Sequence, residues 1–288
     1  MSRRRILLQL DSDPQASVFD AVVAVDSDVD VLLRHQAVRP EQVRELVYGT
    51  MFTRGPDELH NTAIFVGGSN VAAGEELLRG VVDCFFGPLR VSVLLDANGA
   101  NTTAAAAVLA AKRHIPLRDA TVVVLAATGP VGQRAVRLLA AQGAQVRVAS
   151  RSRQRAEESC AAVRRRWPDA RLSAHATSSE EELAEAVQGA SVVIAAGATG
   201  VQLLPRRVHE ASSSLLVAID LNAVPPSGIE GVEARDRNTD REGTICYGAL
   251  GVGQTKMKIH REAIRKLFTR NDLVLDAEEV FQLAQEVG

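Results

Sequence analysis

At 288 residues, with 46% hydrophobic and 24% charged side chains, the chain is long enough for one large or two small domains and apolar enough to give each a core, which excludes a disordered chain. Lysine plus arginine number 33 against 35 aspartate plus glutamate, a net charge of -2 that offers no electrostatic case for a nucleic-acid partner. The three cysteines, Cys84, Cys160 and Cys246, form no CxxC pair and the six histidines form no HExxH, so neither a disulfide scaffold nor a local zinc motif is expected, and the chemistry is expected to need no metal.

The basic start at Arg3, Arg4 and Arg5 leads into a short strand-like run at 6–10 that soon meets Asp11 and Asp13. Neither a signal-peptide core nor a membrane span follows, so a cytoplasmic protein without a membrane partner is expected. Further strand-like runs recur at 62–66, 90–95, 121–126, 145–149, 191–195 and 215–220. Helical periodicity fills 72–84, 102–113, 131–142, 152–166 and 180–187 between them. The alternation predicts α/β layers around mainly parallel sheets whose strand ends share a rim.

The stretch DANGANTT at 96–103 is a turn-rich junction before an alanine-rich helix. As a link between two domains it places Asn98, Thr102 and Thr103 near a ligand; a purely local helix cap by Asn101 is the competing reading. From 225 to 243 the sequence turns polar, after which 244–247 and the helix-like 254–268 resume order. The simplest architecture returns this last segment to the beginning. Residues 1–100 plus 250–288 then form a smaller, discontinuous α/β substrate domain, and 101–249 a Rossmann-like NADP-binding domain, with the active site in the cleft between them.

The nucleotide expectation rests on the apolar run from 122 followed by ATGPVG at 127–132 and a helix. In this turn Thr128, Gly129, Pro130, Val131 and Gly132 present backbone and a helix N-terminus to a pyrophosphate, Gly129 for close approach and Gly132 for helix-to-strand packing. Ala127 stands where the fingerprint usually has its first glycine, and is tolerated if its φ stays negative. The next strand ends in Ser150, Arg151, Ser152 and Arg153. An NAD site would normally carry an acid there, whereas a hydroxyl and two guanidinium groups suit a ribose 2'-phosphate, which favours NADP and leaves dual use of NAD open. Ala196 and Gly197, after the strand at 191–195, and Asn222, after the strand at 215–220, are candidates to flank the nicotinamide.

Beyond this generic site, QLDSD at 9–13, SVFD at 17–20, TRG at 53–55, TAIFVGG at 62–68, FFGP at 85–88, DANGANTTA at 96–104, TGPVG at 128–132 and YGALGVG at 247–253 together resemble the bacterial NAD(P)-dependent methylenetetrahydromethanopterin dehydrogenases. The resemblance runs from about residue 4 almost to the end. It implies oxidation of the methylene group between two nitrogens of tetrahydromethanopterin to the methenyl form, in one-carbon metabolism, by a homo-oligomer for which a trimer is the expected state. The alternatives are the same hydride chemistry on methylenetetrahydrofolate, or a non-catalytic NADP-responsive binding protein. The resemblance also places Lys256 at the substrate cleft, as the residue that positions the pterin. Phe19 and Asp20 then face the pterin, by stacking and by its amide edge, or else Phe19 fills the core and Asp20 completes a capping box with Ser17.

Overall fold

Runs such as TAIFVG and TVVVL carry apolar side chains on both faces, so they are stable only as strands covered by helices on each side, the habit of parallel sheets. In the computed structural model, which describes residues 3–287, the first half of the chain runs β1 (Ile6–Asp11), α1 (Val18–Val25), β2 (Val31–His35), α2 (Pro40–Met51), β3 (Thr62–Gly67), α3 (Val71–Asp83), β4 (Ser92–Leu95), α4 (Ala100–Lys112), β5 (Thr121–Leu125) and α5 (Pro130–Ala141). The second half follows as β6 (Gln145–Ser150), α6 (Arg153–Arg166), β7 (Leu172–Ala176), α7 (Glu180–Val187), β8 (Val192–Ala195), α8 (Arg206–Glu210), β9 (Val217–Asp220), β10 (Arg237–Arg241), β11 (Thr244–Tyr247), α9 (Ala249–Leu267), β12 (Val274–Leu275) and α10 (Ala277–Val287).

The chain divides into two compact units. One takes the residues up to Thr102 and from Met257 onward, the other Thr103 through Lys256. The boundaries fall inside α4 and α9, so two continuous helices carry the chain from one unit to the other.

The first unit holds a five-stranded sheet in the order β12-β4-β3-β1-β2, every pair parallel. Leu8 lies opposite Leu33 on one side and Ile64 on the other, which seats the apolar β1 in the middle. The chain builds outward from β1 to β2, then returns to β3 and β4 on the other flank. Loops leaving β1 and β3 therefore diverge at their carboxyl ends and open a crevice there.

The second unit holds a seven-stranded sheet in the order β10-β11-β9-β8-β5-β6-β7. From β7 to β11 it is parallel and follows the Rossmann order, with its own reversal between β5 and β8. Val123, Leu125, Val193, Ala195, Ala218 and Cys246 meet in its core. Strand β10, RNTDR, pairs antiparallel with β11 and closes one edge. It lies within the polar stretch 225–243.

Local chemistry starts the helices that flank this sheet. Ser152 caps α6 by accepting the Arg155 N–H, and Ser179 with Glu182 forms a reciprocal capping box on α7, each contributing about 1 kcal/mol. Helix α4 is buried through Ala104, Ala105, Ala106 and Ala107. Among the described residues no helix is long and apolar enough to cross a membrane.

Candidate functional site

After β5 the chain reverses through Ala126, Ala127 and Thr128 into α5. Ala126 takes φ +54, the left-handed region that glycine enters more cheaply, while Ala127 is fully buried and takes no positive φ. The alanine in the first glycine position is thus accommodated because the strained residue is its predecessor. Gly132 is fixed by packing: a Cβ there would lie 2.7 Å from Ala127 Cα and 2.8 Å from Ala126 O. Gly129 differs. Its φ and ψ, -78° and 170°, suit any residue, and a Cβ would meet only Ala126 O at 3.4 Å and Ala196 O at 3.7 Å.

Nothing in the protein's own packing demands a glycine at 129, whereas a phosphate approaching the backbone does. Gly129 is the N-cap of α5 and supplies no side-chain cap, and Pro130 at N1 has no N–H to leave unpaired. The Val131 and Gly132 N–H groups belong to the set an α-helix leaves without an intrahelical acceptor, at the positive end of its dipole. Gln133 Nε2 donates to Thr128 O at 2.8 Å and holds the turn. These residues fit a dinucleotide pyrophosphate.

At the end of β6, Ser150 is largely buried, with its Oγ 3.5 Å from Thr128 Oγ1 and accepting the Ser152 N–H at 3.3 Å. Arg151 follows directly and is exposed. Arg153, also exposed, turns along α6 to pair with Glu157 at 3.3 Å. Of the two arginines expected at a 2'-phosphate, Arg153 is therefore partly committed to its own helix.

Across the sheet reversal, Ala196 and Gly197 follow β8, half-buried, and Ala196 O faces Gly129. Asn222 follows β9. Its side chain is spent on backbone, with Oδ1 accepting from Gly200 N–H at 3.2 Å and Val224 N–H at 3.1 Å, and Nδ2 donating to Pro226 O at 2.8 Å. It is 7% exposed, and these contacts tie it to the loops after β8 and β9. Among the described residues no group of three or more His, Cys, Asp or Glu side chains is arranged to hold a metal ion.

In the other unit, the rim between β1 and β3 gathers carboxylates around two glycines. Buried Asp11, ending β1, accepts the Asp13 N–H at 2.9 Å and the Ser17 N–H at 3.0 Å. A Cβ on Gly67 would lie 3.4 Å from Asp20 Oδ2 and 3.6 Å from Asp11 Oδ2, and Gly68, at φ +101, leaves room for Ser12 Oγ. The Asp20 N–H donates to the Ser17 cap at 3.2 Å, and its carboxylate faces the end of β3 beside Gly67. Phe19 is 51% exposed, its ring 6.4 Å from that of buried His260, which stacks on Phe65 at 5.7 Å.

Asn98 stands on the same rim, exposed, with φ +56 and its N–H donating to Gly68 O at 2.6 Å. Thr102 lies in the first turn of α4. It is fully buried, and its hydroxyl donates to Asp96 Oδ2 at 2.6 Å while its N–H donates to Oδ1 at 3.0 Å, so it holds Asp96 in place. Thr103, one residue on, is half-buried and begins the other unit. Lys256, half-buried, closes that unit on α9, and Lys258 is exposed. The motif reading did not single out Asp11, Asp96 or His260. An acid directly after an apolar strand was the available signal for the two aspartates, and the fourth-residue spacing from Lys256 for His260.

The Rossmann strand order and the glycine turn at the head of α5 define a dinucleotide-binding fold of the kind NAD(P)-dependent oxidoreductases use. Family models agree with each unit: "Methylene-tetrahydromethanopterin dehydrogenase, N-terminal" matches residues 18–98 and "NAD(P)H-binding" matches residues 126–225. Two proteins of Methylorubrum extorquens match end to end. "Bifunctional protein MdtA" is 43% identical over 287 residues, and "NAD(P)-dependent methylenetetrahydromethanopterin dehydrogenase" is 30% identical over 295, each alignment covering 99% of both chains. The chain belongs to the bacterial NAD(P)-dependent methylenetetrahydromethanopterin dehydrogenase family. Among solved structures, quinate dehydrogenase from Corynebacterium glutamicum in complex with NAD is similar at TM-score 0.51 and 14% identity, covering 99% of this chain and 100% of that one. The ligand-free 5-ketofructose reductase of Gluconobacter reaches 0.50 at 15% identity with 99% of both covered, a likeness of fold alone.

Proposed function

We propose that this protein oxidises 5,10-methylenetetrahydromethanopterin to the 5,10-methenyl form, with NADP as the preferred hydride acceptor. The observation that carries the reading is the end-to-end similarity to the named methylenetetrahydromethanopterin dehydrogenase, a match that takes in both the acid-lined rim of one unit and the glycine turn of the other. When bound, NADP+ supplies the nicotinamide ring that receives the hydride.

The protein's task is then placement. The methylene carbon sits between two nitrogens whose lone pairs support the positive charge left when hydride departs, so no general base is required. Gly129, Val131 and Gly132 would hold the pyrophosphate, with Ala196 and Gly197 on the far side of the sheet reversal. Ser150 and Arg151 would hold the 2'-phosphate, an Arg–phosphate pairing that the absence of an acid at the end of β6 permits. Asp20, Asn98 and Phe19 would contact the pterin. Asp20 contributes a negative charge that favours the cationic product, and Lys256 binds at a distance from the reacting carbon, because an ammonium beside a developing cation is electrostatically adverse. We read Thr102 and Asn222 as positioning residues and Thr103 as a rim contact, in a cytoplasmic homo-oligomer, a trimer by family resemblance.

The test supplies methylenetetrahydromethanopterin and methylenetetrahydrofolate in separate reactions, each with NADP+ or NAD+, and follows methenyl absorbance. The reading expects turnover with the methanopterin carrier and a higher kcat/KM with NADP+. Turnover confined to the folate carrier overturns the carrier assignment, equal kcat/KM with NAD+ overturns the cofactor preference, and tight NADP binding with no turnover on either carrier overturns the activity.

A further inference from the structure

Two loops on the carboxyl rim of the larger sheet are joined by the side chains of two residues. Asp220, the last residue of β9, is 1% exposed and accepts the N–H groups of Asn222 at 3.0 Å and Ile229 at 3.1 Å. Its Oδ1 also packs so close to Gly228 that a Cβ there would lie 2.5 Å away. Asn222 then reaches in the opposite direction, taking the N–H groups of Gly200 and Val224 and giving one hydrogen to Pro226 O. Three of the four hydrogen bonds an amide side chain can make are thus used on backbone.

The same loops meet through backbone. Gly228 O accepts from Leu203 and Leu204 N–H at 2.8 and 2.9 Å, and Leu221 N–H donates to Ala195 O at 3.0 Å. Segments 196–204 and 221–229 are therefore hydrogen-bonded to one another, and Ala196 O faces Gly129 of the pyrophosphate turn. The Asp220 contacts of this network are buried and the Asn222 contacts partly so, and hydrogen bonds that share members in this way stiffen the loops they join.

Topology says which end of a dinucleotide this body meets. The sheet runs β6-β5-β8-β9, and Ser150 with Arg151 stands at the end of β6, on the side that takes the phosphorylated ribose. The loops after β8 and β9 lie on the other side of β5 and so belong to the nicotinamide half. Resting on the reading of this crevice as the NADP site, we propose that Asn222, seated by Asp220, is a positioning residue that clasps Gly200 to Pro226 and fixes the wall beside the hydride-accepting ring. The clasp acts on transfer and leaves the adenosine end alone.

Adenosine 2',5'-bisphosphate, which has no nicotinamide, separates these roles. In the full-length protein, Asn222→Ala is expected to lower kcat between about tenfold and a hundredfold, the cost of misplacing a reacting centre by about 1 Å. Its affinity for the bisphosphate should stay within about twofold of wild type. Asn222→Asp, which keeps both acceptor contacts but sets a carboxylate oxygen against Pro226 O, should also lower kcat with the same bisphosphate affinity, and guards against a misfolded alanine variant. Unchanged kcat in Asn222→Ala overturns the proposal, as does a bisphosphate affinity that falls in step with kcat in both variants. If the wild-type protein binds neither NADP+ nor the bisphosphate, the crevice assignment itself is wrong and the clasp falls with it.

Discussion

Gly129 and Gly132 stand three residues apart in one turn, and replacing each with alanine should give opposite results. At Gly132 the new methyl would lie 2.7 to 2.9 Å from backbone atoms of Ala126 and Ala127, which cannot rotate away as a side chain would. Overpacking of this kind costs about 1–3 kcal/mol, and against backbone the upper end applies. The helix-propensity gain of alanine over glycine returns at most about 1 kcal/mol, so the net loss is about 2 kcal/mol. Spread over a unit of this size, that lowers the thermal midpoint by roughly 4–8 °C. At Gly129 the methyl meets nothing closer than 3.4 Å and φ is -78°, so stability should hold within about 0.5 kcal/mol. The same methyl would stand where a phosphate approaches, and the Kd for NADP should rise at least about tenfold. Differential scanning fluorimetry without cofactor and calorimetric titration with NADP read the two effects separately. A Gly132→Ala protein as stable as wild type would refute the packing argument, and a Gly129→Ala protein with normal NADP affinity would refute the phosphate cradle.

Arg151→Ala should weaken NADP by about tenfold to a hundredfold, the worth of a charge-assisted hydrogen bond, with little change for NAD; equal losses for both would remove Arg151 from the 2'-phosphate site. For Lys256→Ala we expect a higher KM for the pterin and an unchanged Kd for NADP, and an unaltered kcat/KM in a folded protein would dismiss its positioning role. Burial pushes the Asp220 carboxyl above its ordinary range, against the pull of the N–H groups of Asn222, Ile229 and Gly228. Because the folded state holds this proton more tightly than the unfolded chain, Asp220 should subtract stability as pH rises from about 4 through its raised pKa. Urea denaturation across that range should show a falling component in wild type that Asp220→Asn lacks, and identical slopes would contradict it.

What the sequence disclosed follows from how local each signal is. The glycine turn and the central strands β1, β3, β5 and β8 are contiguous, strongly apolar segments, so their pattern is complete without knowledge of neighbours. Edge strands give no such pattern: β2 leaves Leu33 46% exposed and β7 reads LSAHA, because one flank of each lacks a partner strand. Asn222 and Thr102 are legible in the sequence as polar residues beside a turn, but their partners on Gly200, Pro226 and Asp96 are selected by the folded arrangement. Ala126 was hidden for the opposite reason. An alanine carries no mark of positive φ, and the gap in the glycine pattern lies one residue later, at Ala127.

Strand β10 has a consequence for how the protein survives its own synthesis. A parallel sheet that stopped at β11 would present an apolar strand, TICY, with a free row of amide and carbonyl groups, the template on which unrelated chains polymerise. Turning the chain back once lays Arg-Asn-Thr-Asp-Arg along that row, and the register irregularity between Arg237 and Thr239 bends it out of true. Arg241 then grips Asp236 through two hydrogen bonds of 2.7 and 2.8 Å, tying the end of the strand to the residue just before its start. Five polar residues of little interest to catalysis thus serve as a selvedge, keeping the woven sheet from unravelling into its neighbours.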